Sequence, residues 1–237
     1  MFRRSSGPVF VLSALLAGGC GGESPKGEAE QAEPAATPPT EAPALNPLLD
    51  PGRFTEVAPE TYRVRMETSE GAIVIQVNRA WAPNGADRFY NLVKNGYYDD
   101  TRFYRVIADF MAQFGLNKDP QVNAMWRGAT IADDPATQSN TRGRVTFAMG
   151  GPNTRTTQVF INFKDNAYLD ESGFSPIGEV VEGMDVVAKI YSGYGETQPR
   201  GPGVDYQKAF TEGTPYLDAN YPQLTKILST TLEVGGA

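Results

Sequence analysis

Histidine is absent from all 237 residues, and cysteine occurs once, at position 20. Without imidazole there is no Ser-His-Asp or Cys-His catalysis, no histidine-liganded zinc, and no side chain that exchanges a proton near neutral pH unaided. A single thiol excludes an internal disulfide, a CxxC redox pair and a thiolate metal cluster. Cations are the minority charge: 21 Lys+Arg against 28 Asp+Glu leave a net charge of −7. Nucleic-acid binding needs clustered Lys and Arg, so no nucleic-acid partner is expected. The pair Asp133-Asp134 reads as a solvated loop, and no metal or cofactor is expected. The lack of histidine and of an SxxK pattern also disfavours a hydrolase.

What is present begins with an export signal. Arg3 and Arg4 precede an apolar run, Val9 to Ala17, that is too short to span a bilayer. Small residues then lead to Cys20, so residues 1–19 read as a signal peptide. The lone cysteine stands where the lipobox of bacterial lipoproteins would place it, although Ala17 occupies a position that is usually Leu. Acylation there would anchor the chain, because two acyl chains hold stably where one does not. The expected location is the periplasmic face of a bacterial membrane, or the soluble periplasm if Cys20 is not acylated. Residues 20–55 are rich in Pro, Glu and Ala and read as a disordered tether, since they offer little apolar surface to offset chain entropy. Charge is uneven: +2 over residues 1–22, −5 over 23–50 and −4 over the remainder. The folded part, expected over 56–237, is only mildly acidic.

That part is a succession of short β-type runs separated by Gly, Pro and Asn. Tyr62–Thr68 and Ala72–Val77 flank Ser69-Glu70-Gly71, a hairpin signal. Pro83 to Asn95 reads as a helix, with Gly96 at its end and Ala86, Phe89, Tyr90 and Val93 on one face. Strands are expected at Phe103–Ile107, Met111–Phe114, Val145–Met149, Val159–Asn162 and Ile177–Val181. A second helix is expected at Met184–Tyr191, and a closing strand at Ile227–Val234. Many short strands with two helices indicate a mainly β fold, an antiparallel barrel capped by helices.

Two segments carry more. Residues 103–115 read FYRVIADFMAQFG and residues 145–163 read VTFAMGGPNTRTTQVFINF; Gly178, Val180, Gly183, Met184 and Val186 follow as G-x-V-x-x-G-M-x-V. In order and spacing these blocks resemble the cyclophilin family of peptidyl-prolyl cis-trans isomerases, over about residues 60–192. The resemblance implies a closed eight-stranded antiparallel barrel with a helix over each open end. It implies that Arg105 is the catalytic arginine, with Gln113 beside it. Phe110, Met111, Phe160 and Leu169 would then hold the substrate proline ring. Gln158 and the backbone at Ala148 and Met149 would bind the substrate chain. Tyr168 stands where many relatives have Trp, and Phe174 where many have His, which bears on affinity and cyclosporin response. The implied partners are proline-containing unfolded or partly folded polypeptides, and a monomer is expected.

The chemistry fits a chain without histidine. An X-Pro bond isomerises over tens to hundreds of seconds because its C–N bond is partly double. Nothing is cleaved and no proton need move. A catalyst must hold the proline and favour the twisted amide over the planar one. As conjugation is lost the prolyl nitrogen becomes a better acceptor, and a guanidinium is a permanently charged donor to it. The alternative is a proline-peptide-binding chaperone or scaffold with the same fold and little turnover.

Overall fold

The structure is a computed structural model that describes residues 46–233. The readings at residues 1–19 and Cys20, and the first part of the tether, lie outside the described residues. Its last part is folded. Pro47–Leu49 and Pro51–Arg53 form 3-10 turns, each opened by an Asn or Asp side chain accepting from the backbone. Leu48, Leu49 and Phe54 pack on the main core, and the Trp126 indole donates to the Leu48 carbonyl at 2.8 Å.

The first hairpin follows from alternation. Strand β1 (Thr61–Thr68) buries every second residue, and β2 (Gly71–Asn78) pairs with it from Thr61↔Asn78 to Thr68↔Gly71. A two-residue turn at Ser69-Glu70 joins them, with Gly71 at φ 131°, backbone space that side chains rarely adopt. Helix α1 (Pro83–Lys94) buries Ala86, Phe89, Leu92 and Val93, while Tyr90 is half-buried. Its N-cap, Ala82, has no side chain that could cap. Asp134 does this from a distance: its two carboxylate oxygens accept from the Asn84 and Gly85 amides, both at 2.9 Å. A carboxylate there also meets the positive end of the helix dipole. The expected solvated loop at Asp133-Asp134 is therefore corrected: Asp134 is buried and paired with Arg155 at 3.1 Å, a demand that local sequence does not display.

The remaining strands are β3 (Thr101–Arg102), β4 (Arg105–Ile107), β5 (Met111–Phe114), β6 (Arg144–Phe147), β7 (Val159–Asn162), β8 (Pro176–Glu182) and β9 (Lys226–Glu233). They form one antiparallel sheet in the order β3-β9-β1-β2-β8-β6-β7-β5-β4. The two end strands are consecutive in the chain, separated only by Phe103-Tyr104. The three residue steps from Arg102 to Arg105 reach about 10 Å at most, so the sheet must curl until its two ends lie close together. This corrects the closed eight-stranded barrel: among the described residues there are nine strands, and the seam between β3 and β4 is crossed by the chain with no ladder.

Four helices, not two, occur among the described residues. Alongside α1 are α2 (Pro120–Trp126), a single turn α3 (Met184–Val187), and α4 (Tyr206–Asn220). Helix α4 is broken at Gly213, whose φ is 69° and where a Cβ would collide with the Lys118 carbonyl. The Gly213…Pro215 interruption hides this helix from periodicity. It sits on α2 and closes a second small core of Tyr104, Leu116, Val204, Phe210, Leu217 and Leu224, apart from the main core inside the barrel.

Candidate active site

Strand period places the site. On β4, β5 and β7 the residues Val106, Ala112 and Ile161 point into the main core. Their alternates Arg105, Met111, Gln113 and Phe160 point the other way. Register aligns them: Arg105 lies across from Gln113, and Gln113 across from Phe160. Side chains directly opposite on one face are neighbours, so three strands lay a cation, an amide and an aromatic ring in one row. They line a cleft of about 670 Å³.

One wall is apolar. Met111, Phe160 and Leu169 form a buried cluster with Ile107, Phe110, Ala148 and Phe174 packed against it. Leu169 arrives on a 3-10 turn (Ala167–Leu169), and Phe174 meets Phe160 edge-on at 5.9 Å. Tyr168 stacks on Phe110 at 6.3 Å but is 60% exposed, so it forms the rim and not the floor. Met149 also lines the cleft. The Ala148 amide donates to the Gln158 carbonyl at 2.9 Å, which fixes the backbone at this edge of the cleft.

The other wall is polar and fully wired. Arg105 donates from Nε and Nη2 to the two oxygens of Glu196, both at 2.6 Å, and from Nη1 to Gln113 Oε1 at 2.9 Å. A guanidinium has five N–H groups, so two remain, one on each terminal nitrogen. Gln113 Nε2 donates to the Tyr104 hydroxyl at 2.7 Å and to Gln158 Oε1 at 3.0 Å. Tyr104 in turn donates to Gln158 Oε1, and Gln158 Nε2 donates to the Tyr206 hydroxyl at 2.9 Å. The Glu196 carboxyl is pulled down to about 2, first by the hydrogen bonds from Arg105, against the upward push of burial. Burial holds the Tyr104 phenol well above its ordinary value, so it stays a donor.

Every site residue expected from the sequence except exposed Tyr168 lines this one cleft. Glu196, Tyr104 and Tyr206 were not foreseen. Their partners are distant in sequence, and for Glu196 and Tyr206 the local hint is a turn-rich stretch, residues 192–205, that contains Tyr194 and is flanked by Tyr191 and Tyr206. Among the described residues no group of three or more His, Cys, Asp or Glu could hold a metal ion.

Known proteins agree with this geometry. The model of the family described as cyclophilin type peptidyl-prolyl cis-trans isomerase/CLD matches residues 63–205, more than half the chain. A peptidyl-prolyl cis-trans isomerase of Streptomyces antibioticus is 38% identical over 135 residues, covering 54% of this chain and 81% of that protein. Peptidyl-prolyl cis-trans isomerase B of Escherichia coli is 36% identical over 144 residues, covering 54% and 82%. A cyclophilin type peptidyl-prolyl cis-trans isomerase of Cryptosporidium parvum superposes with a TM-score of 0.54 at 19% identity, covering 74% of this chain and 99% of that one. A crystal structure of that protein in the presence of the dipeptide Ala-Pro gives a TM-score of 0.53. The family match ends at residue 205, one residue before helix α4. The family match spans the strands that carry Arg105, Gln113 and Phe160, and on that match and these relatives the chain belongs to the cyclophilin-type peptidyl-prolyl cis-trans isomerases.

Proposed function

We propose that Arg105 is the catalytic residue of this isomerase and that the chain serves exported, proline-containing polypeptides during folding. The observation that carries the first part is a guanidinium with two uncommitted N–H groups at the edge of an apolar pocket. A proline ring suits that pocket of Met111, Phe160 and Leu169, where contact with apolar side chains replaces contact with water. The Ala148 carbonyl and the second lone pair of Gln113 Oε1 then accept from the flanking peptide. With the ring fixed, rotation about the preceding bond pyramidalises the prolyl nitrogen and brings its lone pair toward Arg105. The donor is worth more to the twisted amide than to the planar one, and only such a difference accelerates the reaction. Every 1.36 kcal/mol of that difference is about tenfold in rate. An Ala-Pro unit, as present with the Cryptosporidium protein, is the smallest ligand of this chemistry. The test is protease-free isomerisation of a proline tetrapeptide by residues 46–237. Arg105→Ala should lower kcat/KM by about 10²-fold; unchanged turnover would sink the assignment.

The second part rests on the N-terminal sequence. Arg3, Arg4, the Val9 to Ala17 run and Cys20 support export and acylation, and the Pro-rich stretch that follows would let the enzyme reach clients from a membrane surface. In a bacterial host, Cys20→Ser should move the full-length protein from the membrane fraction to the soluble periplasm. An unchanged distribution would remove the lipid anchor.

A further inference from the structure

We propose that Glu196 is a positioning residue for the isomerisation, fixing the plane of the Arg105 guanidinium from a loop 91 residues further along the chain. The inference rests on Arg105 being the donor to the prolyl nitrogen.

Backbone pairing brings the two side chains together. Val106 and Gly195 form an antiparallel bridge, which sets Arg105 across from Glu196. The loop is braced from within. Gly203 donates to the Glu196 carbonyl at 2.9 Å, Gln198 to the Val204 carbonyl at 3.0 Å, and Gly201 to the Thr197 carbonyl at 3.0 Å. Val204 is buried in the second core. The carboxylate is itself held before it meets the arginine: Oε1 accepts from the Thr197 amide at 2.8 Å and from its hydroxyl at 3.1 Å. Glu196 therefore presents a fixed two-pronged acceptor to the Nε–Nη2 edge of Arg105, the geometry in which a guanidinium and a carboxylate fit flat against each other.

The effect on catalysis follows from what the pair leaves free. Gln113 takes one Nη1 proton and Glu196 takes Nε and one Nη2 proton. Only the outer N–H groups stay open to the prolyl nitrogen. An arginine released from this clamp regains its rotamer freedom, and the transition state must then order it again. Ground-state binding of the proline ring uses the apolar wall and does not draw on the clamp.

The test compares Glu196→Gln, Glu196→Ala and Asp218→Asn with wild type in a proline tetrapeptide assay, alongside thermal melts. Glu196→Gln should lower kcat about tenfold with KM within about twofold, because binding and chemistry use different walls. In Glu196→Ala, added formate should restore kcat in a saturable way, while chloride should not. Asp218 fastens helix α4 to Arg102 at 2.8 and 2.9 Å, far along the same segment. Asp218→Asn should lower the melting temperature and leave kcat unchanged. The inference is overturned if Glu196→Gln turns over at the wild-type rate or faster. It is equally overturned if Asp218→Asn costs as much kcat, or if formate restores nothing. Failure of the Arg105 assignment shows separately, as an Arg105→Ala variant that keeps its activity.

Discussion

Arg155 and Arg105 are both clamped by carboxylates, and they serve opposite ends. Arg155 and Asp134 are each 2% exposed at their side chains, and Asp133 adds a second contact at 3.3 Å. Arg155 also donates to the Ala132 carbonyl, which ties the 131–134 stretch to the 153–155 turn in the protein interior. Asp134 in turn caps α1. Arg105 and Glu196 are 20% and 23% exposed, and the arginine keeps two donors facing a cleft. Ion pairing does not distinguish the catalytic cation from the structural one. What distinguishes it is the open cleft onto which its remaining donors face.

The largest effect expected from this contrast is on stability. Asp134→Ala leaves Arg155 buried without its partner and uncaps α1. Breaking a buried pair by removing one member costs about 3–5 kcal/mol. For a domain of this size that is a fall in melting temperature of about 10 °C, read by calorimetry. The fraction still folded at 25 °C should isomerise peptide at the wild-type kcat/KM. The comparison breaks if this variant melts normally or if its folded fraction is inactive. Arg105→Ala is the mirror image: a loss of about 10²-fold in kcat/KM, with a melting temperature close to that of wild type. That pair is partly open to water, where ion pairs contribute little to stability.

Much of this contrast could not be seen in the sequence. Alternation along β1, β2, β4 and β5 announces which residues face the core, and the spaced blocks around Arg105 and Gln158 announce the cleft. Both are local signals. Glu196 is 91 residues from Arg105, in a stretch whose glycines and prolines look like a linker. Only the folded chain shows that Val106 bridges Gly195 and sets the two side chains together. Asp134 escaped for the same reason, because the helix it caps begins 50 residues upstream. Helix α4 was lost to a glycine break, and β3 is two residues long, below what any period can reveal. Burial follows patterns a few residues long, whereas a hydrogen-bond partner can come from anywhere in the chain.

The smallest effect expected is no effect at all, and it sharpens the comparison most. Glu196 in the folded protein titrates at about 2, below the ordinary carboxyl value of 4.5. A carboxyl depressed on folding adds stability that is fully present above its unfolded value. That stability is lost only as pH falls from about 4.5 toward 2. The Arg105–Glu196 pair is therefore intact at pH 5 and above. On the alkaline side Tyr104 keeps its proton beyond the ordinary tyrosine value of 10, since burial penalises the phenolate. Between those limits the chain has no histidine to change charge. The kcat/KM for an uncharged tetrapeptide should consequently be flat from pH 5 to pH 9, in contrast to the bell of an acid–base enzyme. A break in that plateau would mean that a proton moves in the rate-determining step, and a mechanism resting on a fixed cation and a preset carboxylate clamp would have to be abandoned.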